Sequence, residues 1–341
     1  TMLRGVTVGC GYFSRIQMAS WKRVEGAEIA AACDVDAERL RSFTADFDLK
    51  GYGDADEMLD AEQPDFLDIA TRPAGHLPLV RKAAQRGIAV LCQKPMADTW
   101  EEAVRIAKTA RRNGIRLMLN ENWRWQAWYR HIKSLLDENR IGRPFYYHVA
   151  TRERDGVGGK PFAKQPYFKD MERFFVIEAI VHHIDTMRFL FGGIDEVFCK
   201  TARLNPVVRA EDFVMMMLRH RGGLCGLIDG NRVTEPDEPG PAMETVRIEG
   251  LENRIRLRHS GDVLLGGERT FSAEGMPGYR GDSCRATQQH FVDCLTNGRE
   301  FATEATDYLR KTVAVVEACY LSAAEHRPVR ISEVAAMAGT V

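Results

Sequence analysis

Two hydrophobic textures divide the chain. Over the first third, short apolar runs alternate with amphipathic stretches. GVTVG (5–9), AEIAAACD (27–34), PDFLDIAT (64–71), IAVLCQ (88–93) and IRLMLNEN (115–122) read as strands. RIQMASWKRV (15–24), DAERLRSFTADF (36–47), HLPLVRKAAQRG (76–87) and TWEEAVRIAKTARRNG (99–114) read as helices between them. The last has Thr99 as N-cap, Glu102 three residues on, and Gly114 as its stop. Strands that are apolar throughout are buried on both faces. The pattern therefore predicts a parallel sheet covered by helices on either side.

Beyond about residue 123 the texture changes. WRWQAWYRHIKSLLDENRIG (123–142) reads as one helix and FYYHVATRER (145–154) as an alternating strand. DGVGGKPFAKQPYFKD (155–170) is a loop by its glycine, proline and lysine content. FFVIEAIVHHIDTMRFLFGG (174–193) predicts one uninterrupted helix stopped by paired glycines. Half-buried strands follow, from DEVFCKTARL to DVLLGG, then a helical return through SCRATQQHFVDCL and TDYLRKTVAVVEACYLSAAEH. Alternating strands imply a largely antiparallel sheet with one covered face. The expected organisation is a parallel-sheet domain over 2–122 and an α/β domain over 123–341. The closing helices have the option of packing back on the first domain.

The chain has 341 residues, 45% hydrophobic and 28% charged, with a formal net charge of -1. That length suits two domains. The near-neutral balance argues against a general nucleic-acid binder. No apolar run reaches the ~20 residues that span a bilayer. LRGVTVG at the start reads as a strand rather than a leader, so the expected location is cytoplasmic. Eight cysteines without a C-x-x-C pair read as reduced thiols used as small hydrophobes, and no metal site is expected. The run RRN (111–113) reads as a solvated helix face.

Four constellations carry chemistry. Gly9-x-Gly11-x-x-Ser14 sits between the first strand and first helix, where glycines let a backbone approach a pyrophosphate. The second strand ends at Asp34, placed to bind ribose hydroxyls; Arg39 and Arg41 lie within reach of a 2′-phosphate. In EAIVHHIDTMR (178–188), Glu178, His182 and Asp185 fall at i, i+4 and i+7 and share one helix face, while His183 points away. Flanking acids can fix a histidine's tautomer for acid/base work. A core histidine satisfied by its neighbours, or a metal site, are the other readings of the same spacing. ENWRWQAWYR (121–130) offers tryptophans and arginines to wall a polar ligand or to pack between domains. The fourth is Gln93-Lys94-Pro95, which puts an ammonium at the end of a buried strand.

These motifs, in this order, resemble the glucose–fructose oxidoreductase and inositol dehydrogenase family over nearly the whole chain, including the closing VVEACYLSAAEHRPV (315–329). The resemblance implies a Rossmann domain binding NAD, followed by an α/β domain with a large open antiparallel sheet. Lys94 and Pro95 match the family Glu-Lys-Pro motif, with Gln93 replacing the glutamate. His182 matches the family histidine, and Glu178 stands where aspartate is usual. Thr71 and His76 keep the spacing of a Thr-Pro…His motif, with Arg72 in the proline slot. The resemblance implies cofactor contacts from Gly9, Gly11, Tyr12, Phe13, Asp34 and Thr71. It extends them to Arg72, His76, Gln93, Lys94 and Asn122. Lys94, His182 and Glu178 are the expected catalytic residues. Arg124, Trp125, Arg152 and Tyr167 join them around the substrate. The expected activity is oxidation of the C1 hydroxyl of a cyclic, pentose-sized aldose to a lactone. An inositol-type dehydrogenase and a non-catalytic NAD-binding regulator are the alternatives. The partner is a small sugar, without nucleic acid or membrane. The expected assembly is a homodimer or homotetramer through the C-terminal sheet.

Overall fold

The computed structural model describes residues 2–337. The chain divides into two compact units. Among the described residues, one comprises 2–122 with 284–310, the other 123–283 with 311–337.

The first unit holds a six-stranded parallel sheet. Its elements run β1 (Leu3–Val8), α1 (Tyr12–Trp21), β2 (Ala27–Cys33), α2 (Ala37–Phe47), β3 (Lys50–Tyr52), α3 (Ala55–Glu62), β4 (Phe66–Ile69), α4 (His76–Gln85), β5 (Ala89–Gln93), α5 (Trp100–Arg112) and β6 (Leu117–Asn120). The strand order is β3-β2-β1-β4-β5-β6, every neighbour parallel. This order reverses direction between β1 and β4, and in such sheets ligands bind at the strand ends beside that point. The four residues of β4 are all buried, as a strand covered on both faces must be. Asp36 and Asp54 cap α2 and α3 through their carboxylates, and Thr99 caps α5.

The second unit continues with α6 (Ala127–Asp137), β7 (Pro144–Arg152), α7 (Val181–Phe191), β8 (Ile194–Ala202), β9 (Phe213–His220), β10 (Cys225–Asn231), β11 (Glu244–Gly250), β12 (Arg254–Leu257), β13 (Val263–Leu265) and β14 (Glu268–Phe271). Next come α8 (Ser283–Asn297), α9 (Ala305–Tyr308), α10 (Ala314–Glu325), β15 (Val329–Arg330) and α11 (Ile331–Met337). The nine-stranded sheet runs β14-β13-β12-β11-β7-β10-β9-β8-β15. β7 and β10 pair in parallel; the other neighbours are antiparallel. Its inner face packs on helices, with Tyr147 of β7 stacked on Phe191 of α7 at 5.3 Å. Its outer face exposes Met215 and Met217. α8 and α9 belong largely to the first unit, and Phe291 and Val292 of α8 join the core of Trp21 and Phe66 there. None of the described helices is long and apolar enough to cross a membrane.

Several elements differ from the pattern-based expectation. The first helix starts at Tyr12, directly on the glycine turn, and ends at Trp21. The expected helix over 123–142 is broken: Trp123–Trp125 form a 3₁₀ turn and Gln126 takes φ −59, ψ 135 before α6 begins. The expected helix over 174–193 opens with a π turn at Val176–Ile180. The short β3, α3, β15 and α11 have no counterpart in the expected elements. All eight cysteines are unpaired thiols, seven buried and Cys225 exposed.

Candidate active site

The first unit assembles its site at the carboxyl ends of β1, β2, β4, β5 and β6. Gly9 takes φ +105, and a Cβ there would lie 2.6 Å from the Ala70 carbonyl oxygen, so only glycine fits. A Cβ on Gly11 would meet nothing within 4 Å, which leaves its backbone open to a ligand. Tyr12 and Phe13 open α1, whose N-terminus has no side-chain cap. Asp34 braces the turn: its carboxylate accepts from the Cys10 backbone N–H at 2.7 Å and the Asp36 N–H at 2.9 Å.

Next along the sheet edge, the Gln93 side-chain oxygen accepts from the Lys94 backbone N–H at 2.7 Å. Gln93 thereby keeps the acceptor that a glutamate would supply. Its amide nitrogen, and that of Asn120 beside it in register, are buried without a hydrogen-bond partner among the described residues. Two orphaned donors at a strand-end ligand edge fit a polar ligand that supplies acceptors. Lys94 is half-buried, and the Lys94–Pro95 peptide is cis. The Thr71 hydroxyl donates to the Arg72 carbonyl at 3.0 Å. Asn122 points its amide at the Cys284 sulfur, 3.5 Å away. His76 departs from the expectation. Its ring is fully buried, with Nδ1 3.1 Å from the Met96 carbonyl and Nε2 3.1 Å from the Thr71 carbonyl. It braces the loops after β4 and β5, and its burial leaves no edge for direct cofactor contact.

The second unit gathers its site around the π turn and α7. Trp123 stacks on the His182 ring, centroids 4.1 Å apart and planes 18° apart. Asp185 does not serve His182. Its two oxygens accept from Arg124 Nε at 2.6 Å and Nη2 at 2.7 Å, and from the Thr312 hydroxyl at 3.1 Å. The expected tautomer-fixing acid is instead one half of a buried bidentate ion pair, and Arg124 presents its fork to that carboxylate. His183, off that shared face, is fully buried and meets Trp123 edge-on at 6.3 Å.

Glu178 faces a different partner. Arg232, just beyond β10, places Nη1 3.9 Å from Glu178 and 3.5 Å from Glu153. Its Nε donates to Asp155 at 2.8 Å. Phe162, Phe168, Phe174 and Phe175 surround the guanidinium at 5.5–5.9 Å. Burial works against its charge, but the carboxylates of Glu153, Asp155 and Glu178 outweigh burial and hold Arg232 firmly protonated. Tyr167 joins this cluster edgewise through Phe168 at 4.8 Å, and its hydroxyl accepts from the Gln165 amide at 3.0 Å. Thus the 155–170 loop is anchored on Arg232 through Asp155, Phe162 and Phe168.

Two expected substrate residues lie elsewhere. Trp125 packs against the Arg130 guanidinium at 4.9 Å. Arg152 sits on the outer face of β7 with His148 and pairs with Asp229. Tyr147, Val149 and Thr151 take the inner positions, so strand alternation turns Arg152 away from the face that covers Glu178 and His182. Trp123, Arg232 and the buried Glu244 carry the geometry that sequence reasoning missed. Their contacts join positions too distant along the chain for spacing to reveal, and for Arg232 the single clue was an arginine at the end of a buried strand.

Family comparison converges on the same frame. Residues 3–121 match the oxidoreductase family with an NAD-binding Rossmann fold, and 129–256 match the GFO/IDH/MocA C-terminal domain. The chain belongs to this family of oxidoreductases, and its cofactor is NAD. It is 37% identical to D-apiose dehydrogenase of Paraburkholderia graminis, over 99% of this chain and 92% of that one. It is 35% identical to D-apiose dehydrogenase of Rhizobium rhizogenes, over 97% and 98%. Among solved structures, an oxidoreductase from Agrobacterium radiobacter in complex with NAD+, L-tartaric acid and magnesium superposes with a TM-score of 0.89 at 34% identity, covering 98% of this chain and 99% of that one.

Proposed function

We propose that the chain is an NAD-dependent dehydrogenase that oxidises the C1 hydroxyl of a cyclic aldose to the lactone, with D-apiose as the named candidate. The observation that carries the substrate is the near-full-length identity to two D-apiose dehydrogenases. Retention of Lys94 and His182, the two residues matching the family's reactive pair, favours catalysis over a regulatory role on the same fold.

In this reading the C1–H bond breaks as hydride and the O–H bond releases a proton, leaving the lactone carbonyl. NAD, when bound, supplies the hydride acceptor. His182 takes the hydroxyl proton as general base. Lys94 donates to the same oxygen and stabilises the charge that develops on it. Glu178, held by Arg232, accepts hydrogen bonds from sugar hydroxyls, with Tyr167 against the sugar's apolar face. A carboxylate at Glu178 repels a carboxylate on the substrate, which favours a neutral sugar. We assign this activity to carbohydrate catabolism in the cytoplasm. The exposed Met215 and Met217 support self-association through the outer sheet face, as a homodimer or homotetramer.

The test is steady-state NADH production with apiose, xylose, glucose, myo-inositol and tartrate. The expected result is the highest kcat/KM on apiose. A higher value on myo-inositol or tartrate than on any aldose overturns the substrate class. Activity on aldoses with apiose no better than xylose overturns only the name. No turnover with any of them supports the regulatory alternative.

A further inference from the structure

Trp123 is held more tightly than packing alone requires. Its ring is 4% exposed and lies flat on His182. Its indole N–H donates to Glu244 Oε1 at 3.2 Å. The Tyr129 hydroxyl donates to the same oxygen at 2.5 Å. Glu244 and Tyr129 are both fully buried, and Glu244 Oε2 has no hydrogen-bond partner among the described residues. The Arg280 guanidinium lies over the indole, 5.2 Å from its centroid. Arg280 is itself pinned: it takes φ +43, donates to the Pro241 carbonyl at 2.7 Å and to the Tyr279 hydroxyl at 3.0 Å.

This is a costly way to fill space. A buried carboxylate with one unpaired oxygen is unfavourable, and a phenylalanine at position 123 would fill most of the volume without needing an acceptor. What the carboxylate adds is direction. A hydrogen bond to Nε1 fixes the rotation of the indole in its own plane, and Arg280 limits its tilt. A ring stacked at 18° then has one preferred plane, set from β11.

We propose that Trp123 is a positioning residue for His182, and that Glu244 sets the plane of the imidazole through the Trp123 indole N–H. The proposal rests on the reading of His182 as the general base. Glu244 touches neither substrate nor cofactor in this scheme. Its effect reaches the reaction only through the angle at which the imidazole meets the hydroxyl, where misplacement by about 1 Å costs roughly 10²-fold in rate.

The experiment compares W123F, E244L, E244Q and H182N with the wild type in two measurements. The first is intrinsic fluorescence across pH 5 to 8, without substrate. A protonated imidazole stacked on an indole quenches it, so the wild type should show a quenching step beyond the pH response that remains in both H182N and W123F, where Trp21 still reports the ionisation of Asp68. E244L should lose most of that step and E244Q, which keeps a carbonyl acceptor, should retain it. The second is turnover on D-apiose, with NADH binding measured alongside. W123F and E244L should lose about 10- to 100-fold in kcat with NADH affinity unchanged, and E244Q should stay within a few-fold of wild type. If folded W123F and E244L keep wild-type kcat while H182N loses it, the positioning role is wrong. If H182N turns over normally, the general-base reading fails instead. In that case E244L fluorescence still decides whether Glu244 sets the stack, and an unchanged quenching step in E244L overturns it.

Discussion

Trp21 donates its indole N–H to Asp68 at 2.7 Å, in the middle of the first unit's sheet. The carboxyl is fully enclosed and its second oxygen, Oδ1, has no hydrogen-bond partner among the described residues. Burial drives its pKa up to about 7, against a smaller lowering by the indole hydrogen bond. Because folding raises the value, the native state keeps a proton that the unfolded chain releases. Stability from this group is therefore greatest below the unfolded value near 4 and is lost as pH climbs to about 7. Asp68→Asn removes the dependence. Urea denaturation at pH 5 and pH 8 should show the variant gaining on the wild type by about 2–3 kcal/mol across that interval. A difference that stays constant with pH would mean that Asp68 is not protonated in the fold.

Arg232→Gln should release both Glu178 and the 155–170 loop. Removing one partner of a buried ion cluster leaves uncompensated carboxylates and costs about 3–5 kcal/mol. Denaturant titration measures the loss, and limited proteolysis should find new cleavage within 155–170. Activity should fall mainly through KM for the sugar, with NADH binding unchanged. Wild-type proteolysis and KM would show that the loop is held by something other than Arg232.

Lys94→Met should lower kcat by roughly 10²–10³ while NADH still binds, because it removes one stabiliser of a developing oxyanion. Stopped-flow hydride transfer and NADH fluorescence titration separate the two effects. Near-wild-type turnover would demote Lys94 to a solvated strand end.

NAD should be used in preference to NADP. The Asp34 carboxylate, fixed on the turn by the Cys10 and Asp36 N–H groups, repels a 2′-phosphate. Arg39 is drawn back toward Asp36 at 3.2 Å. Equal kcat/KM with both cofactors would defeat the argument, and Asp34→Ser should narrow the preference.

The first unit was the more legible half. Its strands are apolar throughout because both faces are covered, and its glycine turn and acid lie close together along the chain. The second unit's sheet was readable from its alternation, and the same alternation, counted from Tyr147, already turns Arg152 outward. Its site was less readable. Arg124 meets Asp185 across 61 residues, and Trp123 meets Glu244 across 121. No local pattern encodes such pairings; they exist only once the sheet and α7 are packed. The break at Gln126 was similarly hidden, because WRWQAWYR carries helix-compatible residues on both sides of it.

The π turn at Val176–Ile180 has a geometric consequence. In a regular helix, positions seven apart return to nearly the same azimuth, drifting by only ~20°. Glu178 and Asp185 would then compete for one neighbour. The wide turn takes up an additional residue, worth about 100° of rotation. The upstream end is thereby dialled toward Arg232 and the downstream end toward Arg124. A one-residue deletion within 176–180 would act as a twist more than as a shortening. The turn is thus a dial, able to re-aim one carboxylate relative to the other with every side chain of the site left as it is.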